Sequence, residues 1–151
     1  MADAVHYLHS QQPPVVYRNL SANTVLMLDG GVLKLGSCLE VARLPSCGYF
    51  DDRDPGALPY VPPEALVDRP HYNEKIDVFS LGVLMLEIAT QYPPSTGLSG
   101  IGTTPEIDRC AKDLSRLPED HPLKPIILQC LRDDPGERPD SGTVFRMLSE
   151  G

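Results

Sequence analysis

The stretch Ile76 to Thr90 is apolar on nearly all sides when wound as a helix, which predicts a helix running through a core rather than lying on its surface. Its longest apolar part, Val78 to Ala89, contains Ser80 and Glu87 and falls well short of the roughly 20 residues needed to cross a bilayer. A helix buried all round needs other elements packed on each of its faces. The chain has 151 residues, enough for one domain with such a core and too few for two.

The elements around that helix follow from periodicity and punctuation. Ala2 to Ser10, with Ala4, Val5 and Leu8 and with Tyr7 beside them, suits the end of an amphipathic helix stopped by Pro13 and Pro14. Val15 to Tyr17 is a short β-branched run. Val25 to Leu28 and Val32 to Leu35 flank Asp29-Gly30-Gly31, a turn signal that predicts a small hairpin. Gly36 to Pro63 is rich in Pro, Gly and Asp without periodicity. It reads as a long loop, a kind that usually carries function. One helical turn is expected at Pro63 to Val67, and a polar loop runs from Tyr92-Pro93-Pro94 to about Thr104. Helices are predicted over Pro105 to Leu114 and Pro122 to Leu131, then from a capping Ser141 to about Ser149.

Charge and cysteine usage exclude several functions. The net charge is −8 and no basic run occurs, which argues against nucleic acid and anionic membrane surfaces as partners. Cys38, Cys47, Cys110 and Cys130 form no CxxC pair and stand near no histidine at metal spacing. They read as reduced cytosolic thiols rather than a disulfide or zinc framework. The N-terminus has an early acid and no apolar core segment, so no signal peptide is expected and the chain reads as cytoplasmic.

Several strings, taken in order, carry a resemblance. Tyr7 to Ser10 reads YLHS, and Tyr17-Arg18-Asn19-Leu20-Ser21-Ala22-Asn23-Thr24 stands where HRDLxxxN would. Lys34-Leu35-Gly36-Ser37-Cys38-Leu39 takes the place of a K-[IL]-[AGS]-D-F-G block. Tyr60-Val61-Pro62-Pro63-Glu64 matches an APE block in its PPE form, and Ile76 to Val83 matches a DVxSFG helix. Cys130 to Pro139 matches CLxxDPxxRP. Together they resemble the C-terminal lobe of the protein kinase superfamily, nearest its tyrosine-kinase-like group, and cover nearly the whole chain.

The resemblance implies a mainly α fold: a protein-kinase-like C-lobe, a helical bundle with a short β-hairpin, over residues 1–151. Residues 36–64 would be the activation-segment equivalent. It implies a buried ion pair between Glu64 and Arg138, and an Asp77 that accepts hydrogen bonds from the backbone of the catalytic loop. It also implies a phosphate-docking role for Arg18, with Ser46 and Tyr49 as the phosphosite candidates among the acids Asp51, Asp52 and Asp54. Tyr60 is expected to pack beneath the segment.

The residues for phosphoryl transfer are replaced at the matching positions. That reaction needs phosphates and magnesium held in place and charge stabilised. Asn19 stands where the base-like aspartate belongs, and an amide takes no proton from a substrate hydroxyl. Thr24 replaces the metal-binding asparagine, with Asn23 one residue early. Ser37 replaces the aspartate that holds Mg²⁺, a neutral hydroxyl facing a hard cation. Leu39 replaces the block's glycine, and Ala57 a threonine before the PPE stretch. Tyr17 for histidine and Ser21 for lysine do not count against activity.

The chain starts just before YLHS and contains no GxGxxG, so the N-lobe is expected to be absent. Of the nucleotide pocket only Leu26, matching the residue under the adenine ring, would remain. The expectation is a pseudokinase: not an enzyme, with no cofactor and no metal, binding a protein partner in signalling. That partner could be another kinase-like chain or an N-lobe. Two alternatives stand beside it: a kinase that uses ATP and Mg²⁺ through degenerate motifs, and a truncated product without function.

Overall fold

The computed structural model describes residues 1–52, 56, 58–95 and 107–150. In chain order these form α1 (Ala2–His9), β1 (Val15–Val16), β2 (Val25–Met27), β3 (Leu33–Leu35), β4 (Ala42–Arg43), α2 (Lys75–Thr90), α3 (Ile107–Leu114), α4 (Lys124–Cys130) and α5 (Ser141–Glu150). Single 3-10 turns stand at Ala22–Thr24, Asp29–Gly31, Pro63–Ala65 and Pro135–Glu137.

The all-apolar stretch is α2, and every residue from Ile76 to Leu86 is buried. It packs against α4, whose stripe of Ile126, Ile127 and Cys130 is buried against it. The two backbones meet at Gly82, where an added Cβ would lie 2.7 Å from the Cβ of Cys130. Any larger residue there would push α4 off the core. On another side α1 packs on α5, burying Ala2, Val5 and Val144 and stacking His6 on Phe145 with ring centroids 6.1 Å apart. Tyr7, grouped in the sequence with the apolar side of α1, instead faces solvent at 67% exposed.

The predicted hairpin is β2–β3, antiparallel, with Val25 opposite Leu35 and Met27 opposite Leu33. The long loop expected over 36–63 is less irregular than its composition suggests. Ala42 and Arg43 form β4, antiparallel to β1 with Val16 opposite Ala42, and Phe50 bridges to Tyr72. Pairs this short gain little from the ladder itself and stand because they sit on a second cluster: Val16, Phe50, Val61, Ala65, Tyr72 and Ile76. The last helix also starts differently. Its N-cap acceptor is Asp140, whose Oδ1 takes the backbone N–H of Thr143 at 2.7 Å; Ser141 is buried inside the first turn. The carboxylate reaches the free amides that a serine one residue later cannot. Of the expected Pro105 to Leu114 helix, the residues before 107 lie outside the described ones.

The outcome is a mainly helical body with two small antiparallel strand pairs. Among the described residues no helix is long and apolar enough to cross a membrane.

Candidate functional site

The loop between β1 and β2 is hung on α2 by one carboxylate. Asp77 is fully buried; its Oδ2 accepts the N–H of Tyr17 at 2.7 Å and its Oδ1 the N–H of Arg18 at 2.8 Å. His9 Nε2 lies 2.9 Å from the same Oδ2. Three partners thus satisfy a group that would be costly to bury alone. The tether holds Arg18 at φ +71°, a backbone region that a non-glycine residue occupies only when its surroundings enforce it.

Beyond Arg18 the loop closes on itself through Thr24. Its hydroxyl donates to the carbonyls of Asn19 at 2.8 Å and Ser21 at 3.1 Å, as alternative acceptors, and accepts the N–H of Ser21 at 3.0 Å. The side chain is buried within the loop. Asn19 is covered from the other side. Gly56, at φ +106°, approaches so closely that a Cβ there would lie 2.5 Å from the Arg18 carbonyl oxygen and 3.2 Å from Asn19 Oδ1. Ser37 is exposed just past β3, and Leu26 is half-exposed on β2. Between Tyr17 and Ser37 the sole acidic residue is Asp29, in the hairpin turn. Among the described residues no group of three or more His, Cys, Asp or Glu side chains is placed to hold a metal ion.

Polar contacts fasten segment 36–64 at Asp52, Tyr60 and Glu64. Near its middle, Asp52 takes the Arg18 guanidinium at 2.7 Å on Oδ2 and the Tyr72 hydroxyl at 2.6 Å on Oδ1. Arg18 also lies over the Phe50 ring, 5.0 Å from its centroid. Partial burial pushes the Asp52 carboxyl up, but the Tyr72 and Arg18 hydrogen bonds outweigh it and leave its pKa below the ordinary value. Farther on, the Tyr60 hydroxyl donates to Glu87 Oε2 at 2.5 Å. Burial, then that hydrogen bond, raise the Tyr60 phenol to about 12. At the end, Arg138 Nη1 and Nη2 reach the two Glu64 oxygens at 2.6 and 2.9 Å. The remaining Arg138 donors go to the carbonyls of Arg132, Lys75 and Asp133, so this fully buried guanidinium has all five N–H groups engaged.

The sequence-predicted residues therefore fall into groups. Asp77 and Arg18 meet at the loop, Glu64 and Arg138 meet at the far end of the segment, and Asn19 and Thr24 share the loop interior. Arg18 is occupied by Asp52 rather than placed against Ser46 or Tyr49. Ser46 is exposed, while Tyr49 stacks on His71 with centroids 3.9 Å apart and stays 41% exposed. Asp54 and Ala57 lie outside the described residues. Sequence reasoning missed His9, Tyr72 and Glu87 as partners, and did not single out Asp52 among its neighbouring acids. Among the described residues, the Tyr17 hydroxyl, Arg18 Nε and Glu40 Oε2 are buried without a hydrogen-bond partner. Burial raises the Tyr17 phenol above its usual value.

The protein kinase domain family matches residues 1–147. The serine/threonine-protein kinase CTR1 of Arabidopsis thaliana is 28% identical over 98% of this chain and 18% of its own length. The serine/threonine/tyrosine-protein kinase HT1 of the same plant is 27% identical over 97% of this chain and 37% of its own. Mitogen-activated protein kinase kinase kinase 1a of Physcomitrium patens is 31% identical over 88% of this chain and 17% of its own. The chain thus spans less than half the length of each of these relatives. With the family matching nearly end to end, on a helical body whose loop and segment are tied down at Asp77 and Glu64, the chain belongs to the protein kinase domain family.

Proposed function

We propose that this chain is the C-terminal lobe of a kinase fold that does not transfer phosphate and serves as a protein-binding module in signalling. On this reading 17–24 is the catalytic-loop equivalent and 36–64 the activation-segment equivalent. The tyrosine-kinase-like group is the assignment its motifs favour.

The observation that carries the proposal is Thr24. Its hydroxyl is consumed by Asn19 and Ser21, so the metal-ligand position does structural work inside the loop. Asn19 and Ser37 offer no charge beside it, and a hard divalent ion needs oxygen ligands with charge among them. These residues do not fit ATP with Mg²⁺.

The binding face proposed is the β2–β3 hairpin. Leu26, Met27, Leu28, Val32 and Leu33 are each 44–76% exposed, and this much exposed apolar surface on one small hairpin marks an interaction site. Covering it is worth roughly 25 cal/mol per Å² of apolar surface removed from water. An N-lobe or another kinase-like chain has the complementary chemistry, and a cytoplasmic location suits the free thiols Cys38 and Cys47.

A second reading, a protein kinase using ATP and Mg²⁺, draws on the names of the relatives. Radiolabelled ATP with Mg²⁺ and a generic peptide substrate separates the two. The expected result is no labelled peptide, together with no thermal shift on adding ATP and Mg²⁺. Transfer that Asn19→Ala abolishes would overturn the proposal.

A further inference from the structure

One well-defined groove belongs to neither the 17–24 loop nor the hairpin. It is an open groove of about 510 Å³ between α3, α4 and the turn at Pro63. Phe79 forms its floor and Leu114, Leu128 and Leu131 its apolar sides. Leu128 is 45% exposed, although it sits on a helix whose other apolar residues are packed. The groove is open along its length rather than closed over a ligand, a shape suited to side chains of a segment lying across it.

One end of the groove is acidic. Among the described residues, Asp133, Asp134 and Glu137 line it against a single base, Arg132, and all four are exposed. Nearby Glu64 and Arg138 neutralise each other, so they do not cancel the rim. Asp134 is engaged with the N–H of Gly136, whereas Asp133 and Glu137 form no salt bridge among the described residues. Among the described residues, then, the apolar trough ends in an excess of negative charge, which complements one kind of occupant.

We propose that this groove docks a short amphipathic peptide segment of a protein partner, seating one aliphatic or aromatic anchor beside Leu128 with a neighbouring lysine or arginine on Asp133 and Glu137. The site goes beyond the hairpin face and rests on the binding-module reading only in having a protein as its partner. It also adjoins the segment's far anchor. Phe79 carries the Arg138 guanidinium 5.0 Å above its ring, and Pro63 precedes Glu64, so an occupant touches both flanks of that ion pair.

The test is selection of random peptides about 12 residues long, roughly three helical turns, displayed on phage against the full chain. Selected peptides are expected to pair a large apolar residue with Lys or Arg within one helical turn. Their affinity should fall at least about tenfold in Asp133→Lys/Glu137→Lys, and also as NaCl rises from about 0.05 M to about 0.5 M. Leu128→Asp, at a half-exposed position, should abolish binding with the circular dichroism spectrum unchanged. Three results would overturn the proposal: no enrichment, enrichment of acidic or uncharged peptides, or basic peptides indifferent to the charge reversal. Self-association in sedimentation velocity that Leu128→Asp removes would assign the groove to a second copy and overturn it too. Phosphate transfer by the chain would refute the inactive reading while leaving the peptide result standing, so the two failures are distinguishable.

Discussion

Asp52 holds Arg18 at 2.7 Å with an unmodified carboxylate. The middle of segment 36–64 is therefore fastened to the loop without any phosphate. The contact is partly open to water, with Asp52 half-exposed, so its strength lies in the roughly 0.2–1 kcal/mol range of surface pairs. Its effect should be local. Asp52→Asn is expected to leave the urea midpoint almost unchanged while trypsin and chymotrypsin cut segment 36–64 several-fold faster. Unchanged cleavage would show that the pair does not restrain the segment.

The same pair has a defined pH dependence. The folded-state pKa of Asp52 is depressed below 3.8. Its contribution is therefore complete above the unfolded carboxylate value and is lost as pH falls through the lower folded value. Segment protection against pepsin should hold near pH 4 and decay below it, and Asp52→Asn should remove that dependence.

Glu64 and Arg138 occupy a different regime. Arg138 is buried, so removing its partner strands a charge. Glu64→Ala is expected to cost about 3–5 kcal/mol in urea denaturation. Replacing both, as Glu64→Leu with Arg138→Met, should recover a large part of that loss, because a well-packed apolar pair avoids desolvation. Equal losses in the single and double variants would show that the stranded charge is not the source of the cost.

Asp77 predicts a pattern in hydrogen exchange. Asp77→Ala orphans the N–H groups of Tyr17 and Arg18, each costing on the order of 1–3 kcal/mol. Those two amides should exchange faster than the rest of β1 and the loop, measured by NMR.

Tyr60 supplies an alkaline signature. Its folded pKa of about 12 exceeds the ordinary 10, so the stability it contributes is complete below pH 10 and is lost between pH 10 and about 12. Absorbance at the phenolate band should show tyrosine ionising in that window only as the chain unfolds, and Tyr60→Phe should lower the step's amplitude by one tyrosine, leaving the share of the buried Tyr17.

What the sequence made legible follows from signal length. The helix α2 was plain because apolar residues dominate the whole run from Ile76 to Thr90; β1 and β4, of two residues each, are too short for any period to show. The Asp140–Ser141 boundary placed two good capping residues side by side, and only geometry chose the first. At the site, Asp77, Glu64 and Arg138 were marked by family strings, with charge inside apolar surroundings as the supporting cue. Asp52 was not, because it reads like its neighbouring acids until the Phe50–Tyr72 bridge sets it against Arg18. His9 and Glu87 join elements far apart in sequence, and nothing local to either announces its partner.

Asp77 and Glu87 stand ten positions apart on α2, so helical rise alone separates them by about 15 Å. One supports the loop at Tyr17 and Arg18, the other receives Tyr60, and the rod between them acts as a ruler with a fixed phase. Inserting a single residue midway would swing Glu87 about 100° around the axis and leave Asp77 where it is. The spacing of these two acids is thus as much a constraint on the chain as their identity.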